Sequence, residues 1–126
     1  METKFNFNSQ ICTSREQSER LLALGLKKET ADMCHRTNGM GIYFITAQNP
    51  LCNPNDIPAW SLHRLLSMLP DDAPKTYWIL DGASITIEFE DGDCDFFPHK
   101  GDIYKGVVNC IEWLIKEGYF NKEYLV

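Results

Sequence analysis

The sequence predicts a single α+β domain over residues 1–126, built from an N-terminal αα-hairpin, an antiparallel β-meander and a long C-terminal helix packed on the sheet. Three patterns predict it. Residues 102–117 repeat apolar side chains at the helical period, residues 85–90 alternate apolar and polar side chains at the strand period, and residues 13–36 carry two short helical patterns separated by Gly25. A chain of 126 residues fits one domain that buries roughly two thirds of its unfolded surface without covalent staples.

In chain order, Thr13 and Ser14 each stand three positions before a Glu or Gln (Glu16, Gln17), the spacing of a capping box. A helix therefore starts there. Leu21, Leu22 and Leu24 form its buried side, Glu16 and Arg20 pair at i,i+4, and Gly25 terminates it with Leu26 beyond. A second helix is expected over 28–36, stopped at Thr37-Asn38-Gly39. Residues 41–46 (GIYFIT) are apolar, β-branched and aromatic, so they read as a strand buried on both faces. The Asn- and Pro-rich residues 48–56 form an irregular connection. Asp56 then precedes a helix with Pro58 in its first turn, where a missing N–H is harmless, and Pro70 marks its end.

Residues 76–80 read as the next strand and 81–84 as a turn, after which the alternating strand over 85–90 points Ile85, Ile87 and Phe89 inward. Asp91-Gly92 is a favoured two-residue hairpin loop, so 93–97 returns antiparallel. That register sets Glu88 against Asp95 and Glu90 against Asp93 on one solvent face, with Ile87 against Phe96 in the core. Directly opposed carboxylates repel. A longer turn with a shifted register, solvent screening or a bound cation would each resolve the conflict. In the last helix Asp102 is the N-cap and Gly118 the left-handed stop. Its apolar arc (Ile103, Tyr104, Val107, Val108, Cys110, Ile111, Leu114, Ile115) is too wide for one contact, and Trp113 is expected over Gly106. The aromatic residues 119–126 should dock.

The formal net charge is −6, from 12 basic and 18 acidic residues, which disfavours nucleic acid and anionic membranes as partners. Seven carboxylates fall between Asp81 and Asp102, against Lys100 alone. The five cysteines are odd in number and dispersed, without CxxC or zinc spacing, which implies reduced thiols and a cytoplasmic location. No apolar run approaches the ~20 residues of a membrane span, and the first residues lack a signal-peptide core.

GxSxG, GxxxxGK[ST], HExxH and GxGxxG are all absent, so no catalytic residue and no cofactor is assigned. The leading reading is a small non-catalytic binding protein with two candidate surfaces. Trp60, His63 and Arg64 share the helix face opposite Leu62, Leu65, Leu66 and Leu69, as a ligand or partner platform. Glu88, Glu90, Asp93 and Asp95 form an acidic surface suited to a protein partner with a basic surface. No metal ligand is assigned, because the DGDCD run places Phe96 where an EF-hand loop needs glycine. Two alternatives belong to other classes. One is a helix-turn-helix-like DNA-binding regulator using residues 14–36, with Lys27, Lys28, His35 and Arg36 toward phosphates, although that segment carries four acidic residues against five basic ones. The other is a small metal-dependent hydrolase built on the acidic hairpin.

TSREQSERLLALGLKKETADM (13–33), PAWSLHRLLSMLP (58–70) and CIEWLIKEGYFNKEYL (110–125) resemble a group of small uncharacterised proteins of Bacteroides-type gut bacteria, their prophages and mobile elements. The resemblance implies a cytoplasmic, phage- or mobile-element-related setting. It transfers no functional residue, and the acidic hairpin lies outside the three blocks.

Overall fold

The computed structural model describes residues 10–37, 39–47, 55–71 and 76–126. Its order is α1 (Arg15–Ala23), a 3₁₀ turn (Lys28–Thr30), β1 (Met33–Thr37), β2 (Tyr43–Thr46), β3 (Ile57–Ala59), α2 (Leu62–Ser67), β4 (Thr76–Leu80), β5 (Ser84–Phe89), β6 (Cys94–Pro98), α3 (Ile103–Glu117) and a closing 3₁₀ turn (Lys122–Tyr124). The class is α+β, with two antiparallel three-stranded sheets ordered β2-β1-β3 and β4-β5-β6.

α1 follows its local signals. Ser14 caps it, accepting from the Gln17 N–H while the Gln17 side chain accepts from the Ser14 N–H. At the other end Gly25, at φ 100°, lets Leu26 N–H reach Leu21 O at 3.1 Å and Gly25 N–H reach Leu22 O at 3.0 Å, a Schellman closure. Arg20 reaches Glu112 on α3, rather than depending on its neighbour Glu16.

The expected αα-hairpin does not form. Only Lys28–Thr30 makes a 3₁₀ turn, and Met33–Thr37 is the central strand of the first sheet. Residues 33–37 (MCHRT) carry no helical apolar stripe, and pairing on both sides with β2 and β3 outweighs their weak local preference. A recognition helix for the DNA-binding alternative is therefore absent from 28–36. Strand β2 lies at the sheet edge with Phe44 and Ile45 exposed, instead of being buried on both faces. Ile57–Ala59 is strand β3 rather than the start of a helix. Pro58 fits there because β3 is an edge strand, where a missing donor is tolerated. Residues 48–54 of the expected irregular connection lie outside the described residues.

α3 is the organising element. Asp102 accepts from Lys105 N–H at its start, and Gly118 at φ 79° ends it, with Tyr119 N–H closing on Leu114 O at 2.9 Å. The helix packs against β5 and β6, and also touches α1 and α2. Shared contacts of this kind bury Tyr104, Val107, Val108, Cys110, Ile111 and Leu114 together, in one cluster with Leu21, Trp60, Leu65, Ile85 and Ile87. The C-terminal residues dock as expected. Lys27 N–H donates to Tyr124 O at 2.8 Å and Val126 N–H to Gly25 O at 2.8 Å, while Phe120 is buried.

Gly106 is a close-packing position, but its neighbour is His99. A Cβ there would stand 2.6 Å from His99 Cβ and 3.2 Å from His99 Cα. Trp113 instead joins Phe89, Phe97 and Tyr119 in an aromatic cluster, stacked on Tyr119 at 5.6 Å. His99 is itself pinned, with Nε2 donating to Asp81 O at 2.8 Å and Nδ1 accepting from Gly101 N–H at 3.1 Å.

Gly106→Ala should therefore lower stability by about 1 kcal/mol or more in urea unfolding, because overpacking against a fixed neighbour exceeds the helix-propensity gain. A more stable variant would refute the contact.

The α1–α3 ion pair yields a pH signature. Arg20, and then Lys116, hold the Glu112 carboxyl below its ordinary value of 4.5. A lowered folded-state pKa gives stability that is present above the unfolded value and lost as pH falls through the folded one. Glu112→Gln should cost about 0.5–1 kcal/mol at neutral pH, the range of partly exposed pairs. The wild-type advantage should shrink as pH drops below 4.5, as followed by paired thermal melts. A constant difference would rule the pair out as its source.

Candidate functional site

The β5–β6 turn decides where the acidic residues go. Phe89 N–H donates to Asp93 O at 2.9 Å and Gly92 N–H to Phe89 O at 3.0 Å, so the loop is the three residues Glu90-Asp91-Gly92. Gly92 takes the left-handed conformation at φ 93°, and Asp91 Oδ1 accepts from Asp93 N–H at 2.9 Å. This is the longer of the hairpin loops that an Asp-Gly pair supports.

One extra loop residue moves the register by one and turns every β6 side chain over. Glu88 faces Cys94, Ile87 faces Asp95, Thr86 faces Phe96 and Ile85 faces Phe97. The four-carboxylate ladder is therefore corrected: Glu88 lies on the outer face, whereas Asp93 and Asp95 take the alternate side at the sheet margin. Opposed like charges are avoided. Phe97, not Phe96, turns inward, with its ring 5.7 Å from Trp113. The repulsion built into the shorter turn was the sequence signal for this outcome.

The flip leaves apolar groups on the outer face of the second sheet. Ile79, Thr86 and Phe96 form one cross-strand row, and Tyr77, Glu88 and Cys94 the next. Tyr77 is 40% exposed, Ile79 44% and Phe96 65%. Glu88, the cross-strand neighbour of Tyr77, raises the Tyr77 hydroxyl above its ordinary pKa, by hydrogen bonding first and then by its charge. Sequence reasoning did not single out these rows. The alternation of Tyr77 and Ile79 with Trp78 and Leu80 was their available signal.

Charge is segregated on the same unit. Residues 76–98 contain six carboxylates and no Lys or Arg, so this sheet accounts for the whole formal net charge of −6. Glu90 and Asp91 also border an open depression of about 650 Å³ beside Phe89 and Tyr119.

The Trp60–His63–Arg64 platform is not assembled. His63 and Arg64 are exposed on α2, but Trp60 is fully buried. The helix starts at Leu62 with Ser61 as N-cap, so Trp60 lies in extended chain before it, where helical spacing does not apply. Trp60 N–H donates to Thr13 Oγ1 at 3.1 Å, Thr13 N–H to Trp60 O at 2.9 Å and Trp60 Nε1 to Thr30 Oγ1 at 2.9 Å. Asp32 accepts from Ser61 N–H at 2.9 Å and from Ser61 Oγ at 2.5 Å, and Tyr104 Oη accepts from Leu62 N–H at 3.1 Å. This network anchors α2 to the first sheet and α3.

A Cys–His pair absent from the sequence reading lies alongside. Cys12 Sγ is 4.0 Å from His35 Nε2, both side chains buried. His35 Nε2 is also 2.7 Å from Thr13 O, a contact that needs the proton on Nε2 and leaves that nitrogen a donor. Burial, reinforced by Asp32, pushes the Cys12 thiol up to about 11. An un-ionised thiol facing a donor nitrogen is not an activated nucleophile. Among the described residues no three His, Cys, Asp or Glu side chains converge on a metal-sized site.

The chain matches no family model, no curated protein and no solved structure.

Trp60→Ala should destabilise by about 3–5 kcal/mol, the range for deleting a buried aromatic side chain. Arg64→Ala, on the exposed face, should change stability by less than ~0.5 kcal/mol. Denaturant unfolding of both variants checks the assignment, and similar losses would contradict it.

Proposed function

We propose that the chain is a small non-catalytic interaction protein that docks through the outer face of the β4–β6 sheet onto a protein with a basic surface. One observation carries this reading: exposed Tyr77, Ile79 and Phe96 share a sheet unit that has six carboxylates and no Lys or Arg. An apolar centre within a charged margin is the common anatomy of a protein interface. The negative margin steers a basic partner and repels nucleic acid. Glu88, paired across the strands with Tyr77, is the central carboxylate, with Glu90, Asp91 and Asp93 at the turn. The setting we read for it is the cytoplasm of a bacterium carrying prophage or mobile elements. The string resemblance and the dispersed cysteines support that setting. No helix among the described residues is long and apolar enough to cross a membrane.

Affinity capture from host cells should retain a basic protein that Phe96→Ser and Ile79→Ser fail to hold while keeping the wild-type melting midpoint. With the captured partner purified, each variant should raise Kd by about tenfold or more, or 1.4 kcal/mol. Added salt should weaken wild-type binding. Equal capture by wild type and both variants would remove this face from the interaction.

A further inference from the structure

The first sheet ends in a different kind of surface. β2 pairs with β1 on one side, and among the described residues no strand pairs with its other edge. Ile42 just before it is 61% exposed, Phe44 50% and Ile45 44%. Consecutive strand residues point to opposite sheet faces, so Phe44 and Ile45 have the strand edge in common and no single face. Only a contact along the edge covers both.

An apolar edge strand without charge is the arrangement that soluble proteins ordinarily protect. Residues 37–55 carry no Asp, Glu, Lys or Arg, the longest such interval in the chain. Neighbouring cations are engaged within the chain: Arg15 lies 4.1 Å from the Tyr43 ring centroid, and Arg36 donates from Nε to Thr46 Oγ1 at 3.1 Å and stands 3.7 Å from Asp56. Two copies of a chain with net charge −6 repel, most of all through the acidic β4–β6 sheet. The uncharged β2 edge is where two copies can meet without that repulsion.

We infer that β2 is a homodimerisation strand, pairing antiparallel with β2 of a second copy about a two-fold axis near Phe44 and Ile45. The two sheets then run on as one six-stranded sheet ordered β3-β1-β2-β2-β1-β3, with Phe44, Ile45 and Ile42 covered at the seam. The contact is isologous, so it closes at two copies. It uses the sheet opposite in charge character to the proposed partner face and is independent of that proposal.

The test is the molar mass of the full chain by light scattering across a concentration series. Wild type should approach twice the monomer mass. Phe44→Lys and Ile45→Lys, on opposite faces, should each weaken dimerisation by about tenfold or more, with Ile42→Lys as a third probe should either fail to fold by circular dichroism. Glu117→Lys, a change of the same sign at the exposed end of α3, should leave the dimer intact. A monomeric wild type at every concentration overturns the inference. A dimer that survives both strand substitutions, or loses only one face's contribution, overturns it equally.

Discussion

The wide buried arc of α3 is the constraint on which the rest depends. A helix whose apolar residues span Tyr104, Val107, Val108, Cys110, Ile111 and Leu114 cannot be satisfied by a single sheet. The chain answers by bringing β5 and β6 to one side and α1 and α2 to others. Gly106 makes one close approach, where His99 occupies the space of a missing side chain. His99 is bonded on both ring nitrogens, so it cannot yield, and the helix is seated in one position against the β6 end.

The first sheet is joined to the body by polar contacts as well as by the buried Trp60. Trp60, Thr13, Thr30, Asp32, Ser61 and Tyr104 satisfy one another in a region largely closed to water. Such networks stabilise only when complete, because an orphaned buried donor or acceptor costs more than a made bond contributes. That requirement explains why Trp60 and the Cys12–His35 pair serve structure. The Trp60 N–H and Nε1 and the His35 Nε2 are committed to neighbours, and burial keeps the Cys12 thiol un-ionised.

The two exposed surfaces differ in charge. The β4–β6 unit concentrates carboxylates around a few apolar side chains, while the β2 edge is apolar and uncharged. Repulsion between copies is strongest at the first and weakest at the second, which is the basis for proposing a basic partner at one and a like partner at the other. Both follow from the same distribution of side chains.

Local physics determined the elements whose signals are short-range. The Ser14 capping box, the stops at Gly25 and Gly118, the Asp102 cap, the alternation over 85–90 and the wide arc of the last helix were legible in the sequence, and each formed. Tertiary structure decided the rest, wherever local preferences were weak or degenerate. Residues 33–37 became a strand because two partners were available, and Ile57–Ala59 did so because its edge tolerates Pro58. Trp60 left the expected platform because the cap at Ser61 shortened its helix. At the candidate site, Asp91-Gly92 suits either a two- or a three-residue loop, and the choice reverses every β6 side chain. The acidic composition of that sheet could be read from the sequence, but which side chains share its outer face, Phe96 above all, depended on a register that packs Phe97 against Trp113.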